Sequence, residues 1–173
     1  KGELQNLTDV EADGKLIGLE GNSLFCGFYM NELLLRLLHR HDPCPEIFLL
    51  YQSTLIRLSG DGDIESILRF FEKHLLNALG YGLNLLKDAE TGENVIAEQE
   101  YTYLAELGPV RAISLQQNDG VKVRGQTLLA LASGQTFNDV QTRHEAKILM
   151  RYLLSPLLGD KPLHSRKFFK TMK

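Results

Sequence analysis

The chain is poor in the residues that build metal sites, disulfide frameworks and membrane spans. Its 173 residues include no Trp and only two cysteines, Cys26 and Cys44, which lack a CxxC spacing. Two such cysteines exclude a four-thiolate zinc site. No apolar run is long enough to cross a bilayer, and nothing resembles a signal peptide. These absences predict a cytoplasmic protein that makes no contact with a membrane.

Side-chain patterns that support catalysis are also scarce. A hydrolase or nuclease needs a carboxylate cluster that holds a metal, or a nucleophile next to a histidine. The acids here are scattered or follow basic neighbours, and the five histidines show no metal-ligand spacing beyond His39-x-His41. No local signature marks Cys26 as a nucleophile. We therefore expect a protein that is not an enzyme and that holds no metal or cofactor. A metal titration with an activity screen would distinguish a hydrolase or nuclease from a protein that is not an enzyme.

Positive charge is concentrated at one end of an acidic chain. Five of the 19 Lys and Arg residues follow Asp160, and no acid follows it: Lys161, Arg166, Lys167, Lys170 and Lys173. Residues 1–160 keep 14 basic residues against 22 acidic ones, a net charge of −8. Such an end can attract phosphate or an acidic peptide. The alternative is a solvated amphipathic helix whose Phe168 and Phe169 are held against the core.

The strongest predicted helix runs from Ser23 to His41. It is apolar over most of its surface, which is typical of a helix buried in the centre of a bundle. Glu32 precedes Arg36 by four residues, the order that favours an ion pair.

Further helices are predicted from their capping residues. Pro45 suits the first turn of a helix that ends near Leu58. Asp63 is a good N-cap for a third helix, and Gly80 suits the left-handed residue after its C-terminus. A short helix is expected at 127–132, and a longer one, capped by Asp139, runs to Leu154.

The segment 101–124 predicts a small β ribbon. Aromatic and apolar residues alternate there with other side chains, at Tyr101, Tyr103, Ile113 and Leu115. Asn118-Asp119-Gly120 has the composition of a hairpin turn, and Gly108-Pro109 is expected to break the run. Residues 88–99 are expected to be poorly ordered. The fold is therefore predicted to be mainly α, a helical domain with a small inserted β ribbon.

Two basic surfaces are candidates for binding an anionic partner. Three residues of the third helix are predicted to share an outer face: Arg69, Lys73 and Leu76. Glu65 lies one turn before Arg69 and could pair with it at a surface. On the late helix three cations recur every four residues: Arg143, Lys147 and Arg151. No acid lies three or four residues from Lys147 on that helix, so this face is either a solvated basic surface or an anion-binding one.

Four motifs, in this order and spacing, resemble those of the RecO family of bacterial recombination mediators, most closely its proteobacterial branch. They are Tyr29-x-Asn31-Glu32-Leu33, Leu79-Gly80-Tyr81-Gly82, Ala146-Lys147 with Arg151, and Lys161-Pro162-Leu163 with Ser165-Arg166. The resemblance runs from about Gly2 to Met172 and leaves out most of the family's N-terminal domain. It implies that residues 1–22 are a remnant strand and linker of an N-terminal OB-fold, and that residues 23–173 are the helical C-terminal domain.

The resemblance also implies a function. RecO proteins bind single- and double-stranded DNA, anneal strands, and work with RecR to load RecA. They dock the acidic C-terminal tail of single-stranded-DNA-binding protein on the helical domain. This implies DNA contact mainly through the missing N-terminal domain, and a cytoplasmic, nucleoid-associated location. The alternative is a helical protein–protein scaffold domain with no direct nucleic-acid role, which would lack salt-dependent affinity for DNA.

Site residues follow from the resemblance together with the charge pattern. Arg69 matches a family arginine implicated in the tail contact. The predicted tail-binding set is Arg69, Lys73, Leu76, Lys147 and Arg151, next to a hollow between the third and late helices. The predicted nucleic-acid set is Lys161, Arg166, Lys167 and Lys170. Many family members also carry four zinc-binding cysteines in the segment that corresponds to about 84–106. This chain has none there, so zinc is not expected and the ribbon must be held by packing.

Overall fold

The computed structural model describes residues 8–9, 11, 16–111 and 120–170, without the side chains of residues 166, 169 and 170. Five α-helices, three strands and one 3₁₀ helix occur in these ranges. In chain order they are α1 (Gly21–Leu37), α2 (Pro45–Leu58), α3 (Ile64–Ala78), β1 (Glu100–Leu104), β2 (Gly108–Arg111), β3 (Val121–Arg124), α4 (Gly125–Ser133), α5 (Val140–Leu158) and the 3₁₀ helix (His164–Lys170). The mainly α fold with an inserted β ribbon is confirmed. Most of residues 1–22 lie outside the described residues, so the remnant OB strand stays a prediction.

Local capping chemistry sets the helix boundaries. Pro45 occupies the first turn of α2, where its missing N–H costs nothing. The Asp63 carboxylate accepts from the Ser66 N–H at the start of α3, and that of Asp139 accepts from the Thr142 N–H at the start of α5. Gly80, with φ 89°, ends α3 in the left-handed region, which a residue without Cβ adopts readily. The predictions at these four positions are confirmed.

The most buried helix is α3, not α1. Nine of the 15 residues of α3 are buried, against five of the 17 residues of α1, and α3 packs on α2, α4 and α5. On α1, Leu24 and Phe28 are partly exposed and Leu35 is 83% exposed. The prediction that α1 is the buried central helix is therefore wrong. Although α1 is apolar in composition, one of its faces is turned away from the core.

The ribbon is a three-stranded antiparallel sheet in the order β2-β1-β3. Tyr101 and Tyr103 on β1 are buried, and Tyr101 lies between Arg111 of β2 and Val123 of β3. Gly108-Pro109 does not break the run but opens β2, an edge strand that tolerates proline. The predicted turn residues Asn118 and Asp119, like Ile113 and Leu115, lie outside the described residues.

The segment before the ribbon is ordered, contrary to the expectation for residues 88–99. The Asp88 side chain is buried and accepts hydrogen bonds from the backbone N–H groups of Glu90 and Thr91, at 2.9 and 3.1 Å. Arg111 of β2 lies with its Nε 3.5 Å from Asp88 Oδ2 and also pairs with Glu93. A carboxylate that closes its own turn thus joins this segment to the sheet.

Candidate protein-docking site

The three predicted site residues on α3 do not lie on an outer face. Arg69 and Lys73 are each 7% exposed, and Leu76 is 1% exposed. The prediction of an exposed stripe is wrong because these positions, spaced four and three apart, belong to the buried face of the helix. The long aliphatic stems of Arg and Lys pack there like apolar side chains.

Arg69 belongs to a buried polar cluster with Glu72 and Tyr29. Its Nη2 donates to Glu72 Oε1 at 2.7 Å, and the Tyr29 hydroxyl donates to the same oxygen at 2.5 Å. Its Nε has no hydrogen-bond partner within the described part of the chain. The proposed pair with Glu65 does not form. Because removing one partner of a buried ion pair costs about 3–5 kcal/mol, substituting Arg69 acts first on stability.

Burial also makes Cys26, in the neighbouring part of α1, a poor nucleophile. Its side chain is fully buried, and desolvation raises the pKa of the Cys26 thiol to about 11. A thiol with such a pKa stays protonated at neutral pH, whereas the nucleophile is the thiolate.

Lys73 caps the end of another helix. Its Nζ donates to the backbone carbonyls of Leu131 and Ala132 in the last turn of α4, at 2.8 and 3.1 Å. These carbonyls have no partner within their own helix and carry the negative end of the helix dipole. Burial lowers the pKa of the Lys73 ammonium. The ammonium therefore fixes α3 to α4 with two of its three donors.

The basic stripe on α5 is mostly compensated. Arg143 pairs with Asp63 and Lys147 pairs with Glu65, each at 3.0 Å, so the first turn of α3 and its cap supply the acids. Arg151 is exposed and has no ion pair among the residues described. The prediction of an uncompensated stripe therefore holds at Arg151 and is wrong at the other two positions.

A groove lies beside Lys73. Two adjoining hollows of about 390 and 530 Å³ share Leu86 and Ala132. The smaller hollow brings together two lysines, two amides and three leucines: Lys73, Lys87, Asn77, Asn84, Leu83, Leu85 and Leu86. The larger hollow carries the side-chain amides of Gln126, Gln135 and Asn138. Sequence reasoning missed Lys87 and Leu86, because only the fold brings the loop after α3 next to α4.

The basic end of the chain is attached to α1 by Glu32 and Arg36. The Glu32 carboxylate accepts from the N–H groups of His164 and Ser165, both at 2.8 Å, and from the Ser165 hydroxyl at 2.7 Å. Arg36 pairs with Glu32 at 2.8 Å, as predicted, and donates to the Lys161 carbonyl at 2.6 Å. Burial would raise the pKa of Glu32, but the hydrogen bonds from Ser165 and His164 and the charge of Arg36 outweigh it and lower that pKa to about 2.

Aromatic packing completes this attachment. Phe168 stacks on Phe25 with ring centroids 5.4 Å apart, and lies 5.7 Å from Phe28. Lys161 and Lys167 point to the exposed surface. Arg166 and Lys170, the other two predicted nucleic-acid residues, are among those whose side chains the structure does not describe, and so is Phe169.

Two general features bear on the class of site. Within the described ranges, no group of three or more His, Cys, Asp or Glu side chains is placed to hold a metal ion. None of the helices described has the length and apolarity that a bilayer crossing requires.

The fold is that of a mainly helical domain with an inserted antiparallel ribbon. Residues 19–167 match the family model described as "Recombination protein O C terminal". The chain is 46% identical over 171 residues to the DNA repair protein RecO of Methylococcus capsulatus, covering 99% of this chain and 69% of that protein. It is 46% identical over 173 residues to RecO of Nitrosococcus oceani, covering 100% and 70%. Against RecO of Nitrosospira multiformis it is 43% identical over 170 residues, covering 98% and 70%. The chain belongs to the RecO family, which confirms the resemblance carried by its four motifs.

Proposed function

We propose that this chain is the helical part of a non-enzymatic recombination mediator in DNA repair, and that it docks the acidic C-terminal tail of single-stranded-DNA-binding protein. The mediator would anneal strands and load RecA on single-stranded DNA together with RecR. Its contact with single- and double-stranded DNA would be made mainly by the OB-fold that the resemblance places before residue 23. Family membership and the names of the relatives support the repair role, and the groove beside Lys73 supports the docking role.

The observation that carries the docking proposal is a cationic groove with apolar walls. An acidic tail that ends in an apolar residue needs an ammonium or guanidinium group next to an apolar hollow. Lys73 keeps one of its three donors beyond the two that bind the α4 carbonyls. Lys87 is exposed at the same hollow, next to Leu83 and Leu86. A carboxylate that meets Lys73 is partly removed from water, where the attraction is stronger than at an open surface.

The five predicted tail-binding residues then divide into three roles. Lys73 contacts the tail directly. Arg69 and Leu76 hold α3 in place from the buried side, Arg69 through Glu72. Lys147 and Arg151 lie on α5 and offer a second surface along which the acidic part of the tail can run.

Peptide titration tests the proposal. An acidic, Phe-ended peptide is titrated into the wild type and into Lys87→Ala, with Lys122→Ala as the control because Lys122 is an exposed lysine on β3. Loss of one charged contact predicts about 3- to 10-fold weaker binding for Lys87→Ala and no change for the control. Higher salt weakens binding without abolishing it, since the apolar anchor is not screened.

Two further arms locate the site. Arg151→Ala weakens binding more than Lys87→Ala if the tail lies along α5 instead of in the groove. Arg69→Ala is compared at equal folded fraction, because that substitution also breaks a buried ion pair. Equal affinity for a scrambled peptide would refute tail docking itself.

A further inference from the structure

Three aromatic rings form a contiguous, partly exposed surface where the 3₁₀ helix packs on α1. The ring of Phe168 stacks on that of Phe25, with the two planes 8° apart and the centroids separated by 5.4 Å. The Phe28 ring lies beside them, 5.7 Å from Phe168 and tilted by 47°. Phe28 and Phe168 are each 43% exposed. Contiguous apolar surface that stays in contact with water marks an interaction site.

The Phe168 ring is held in position before any ligand arrives. Leu163 and Ser165, which precede it, are each 3% exposed. The two hydrogen bonds from Ser165 to the Glu32 carboxylate fix the start of the 3₁₀ helix on α1. A ring that is already ordered loses little conformational entropy on binding, so even a small exposed platform contributes to affinity.

The segment that carries the outermost ring is cationic. Residues 161–173 include five Lys or Arg and no acid. Lys161 and Lys167, whose side chains are described, are both exposed. Glu32 is the one acid in the sequence of α1, and it pairs with Arg36. Exposed rings with cations beside them suit a ligand in which flat rings alternate with anionic groups.

Single-stranded DNA is such a ligand. Its bases are free to stack on a side-chain ring, whereas those of a duplex are stacked on each other. A wholly apolar partner would use the rings but not the cations, and a duplex would use the cations but not the ring faces. A single strand uses both at once.

We propose that Phe28 and Phe168 form a stacking platform for the bases of single-stranded DNA. A base on the outer face of Phe168 continues the stack that Phe25 begins, and Lys161 and Lys167 bind the neighbouring phosphates. The inference rests on the proposed role in DNA repair and adds a strand contact made by the helical domain itself. The groove beside α4 takes no part in it.

Removing the bases from the ligand tests the stacking. Fluorescence anisotropy at low salt measures binding of the chain to oligothymidylate, to an abasic strand of equal length and to a blunt duplex. Phe168→Leu keeps an apolar side chain but removes the ring, and it weakens oligothymidylate binding by at least about fivefold. Its affinities for the abasic strand and the duplex stay unchanged. Phe168→Tyr keeps the affinity for oligothymidylate, and so does Phe48→Leu, the matched control at a phenylalanine of α2 that is 64% exposed.

The absence of tryptophan from the chain allows a direct readout. Phe168→Trp places a single indole on the platform, and a base stacked on that indole quenches its fluorescence. Oligothymidylate quenches this emission and the abasic strand does not, whereas neither strand quenches the emission of Phe48→Trp. Circular dichroism confirms that each variant is folded.

Several outcomes would overturn the proposal. Unchanged affinity of Phe168→Leu for oligothymidylate is one, and a wild type that binds oligothymidylate no more tightly than the abasic strand is another. Equal losses on all three ligands would show that the ring only holds the basic segment in place. In that case the lysines still contact DNA, so the platform fails while the repair role stands. If Phe168→Leu loses the acidic peptide but not the strand, the rings belong to the tail, and tighter binding to RNA of the same sequence would assign them to RNA.

Discussion

Replacing Glu32 by Gln tests how the basic end of the domain is held. The substitution keeps the size of the side chain and removes its charge. The wild-type carboxylate accepts three hydrogen bonds from His164 and Ser165 and pairs with Arg36. A pKa lowered from 4.5 to about 2 means that the folded state favours the ionised form. At 1.36 kcal/mol per pKa unit, this lowering corresponds to at most about 3.4 kcal/mol. Solvent screening at the partly exposed carboxylate reduces the contribution of the charge to the free energy of unfolding to roughly 2–3 kcal/mol.

The sign of the pH dependence follows from the direction of this shift. Because the folded pKa lies below the unfolded one, the contribution is fully present above pH 4.5 and is lost as pH falls towards about 2. The difference in unfolding free energy between wild type and Glu32→Gln should therefore be constant near neutrality. It should shrink towards zero between about pH 4.5 and pH 2.

Urea denaturation at several pH values measures this difference, with Glu106→Gln, an exposed carboxylate before β2, as the control. Hydrogen exchange at the amides of His164 and Ser165 reports the attachment directly, and it should accelerate in Glu32→Gln alone. Equal losses in both variants, or unchanged exchange at these two amides, would show that Glu32 does not hold the segment.

Three further predictions concern the core, the DNA contact and metal. Leu33→Ala should lower the free energy of unfolding by about 2–5 kcal/mol because Leu33 is fully buried. Leu35→Ala should lower it by less than about 0.5 kcal/mol because Leu35 is exposed. Equal losses for the two variants in urea denaturation would contradict the placement of α1. Changing Lys161 and Lys167 together to Gln should flatten the slope of log affinity for duplex DNA against log salt by about 2, whereas Lys122→Gln should leave it unchanged; an unaltered slope in the double variant places the contact elsewhere. Elemental analysis of chelator-washed protein should find no stoichiometric zinc. One tightly held zinc per chain would contradict the prediction that packing alone holds the ribbon.

Helix boundaries could be predicted from sequence because their causes are local. Asp63 and Asp139 each accept from an N–H three residues on, and Gly80 supplies the left-handed residue that ends α3. The pair of Glu32 and Arg36 is similarly a matter of spacing within one helix. In each case, the interacting groups lie within a turn of each other, so the sequence shows both partners.

The direction in which a basic residue points could not be predicted in the same way. Lys73 donates to a carbonyl 58 residues away, and Lys147 pairs with an acid 82 residues away. A cation on a helix looks uncompensated until the fold brings its partner to it. The groove could not be predicted for the same reason. Lys87 and Lys73 line one hollow only because the loop after α3 turns back beside α4.

The contacts between α1 and the basic segment can form only late in synthesis of the chain, after residues 164–168 have been made. The bond between Glu32 and the His164 N–H joins residues 132 positions apart. At about 5–20 residues per second, the ribosome needs on the order of 10 s to make the intervening chain. During that interval, Phe25 and Phe28 lack the ring of Phe168 that later covers them. The nascent domain therefore exposes the rings of Phe25 and Phe28 until the 3₁₀ helix has been synthesised. A chaperone that binds exposed aromatic side chains could act during that interval.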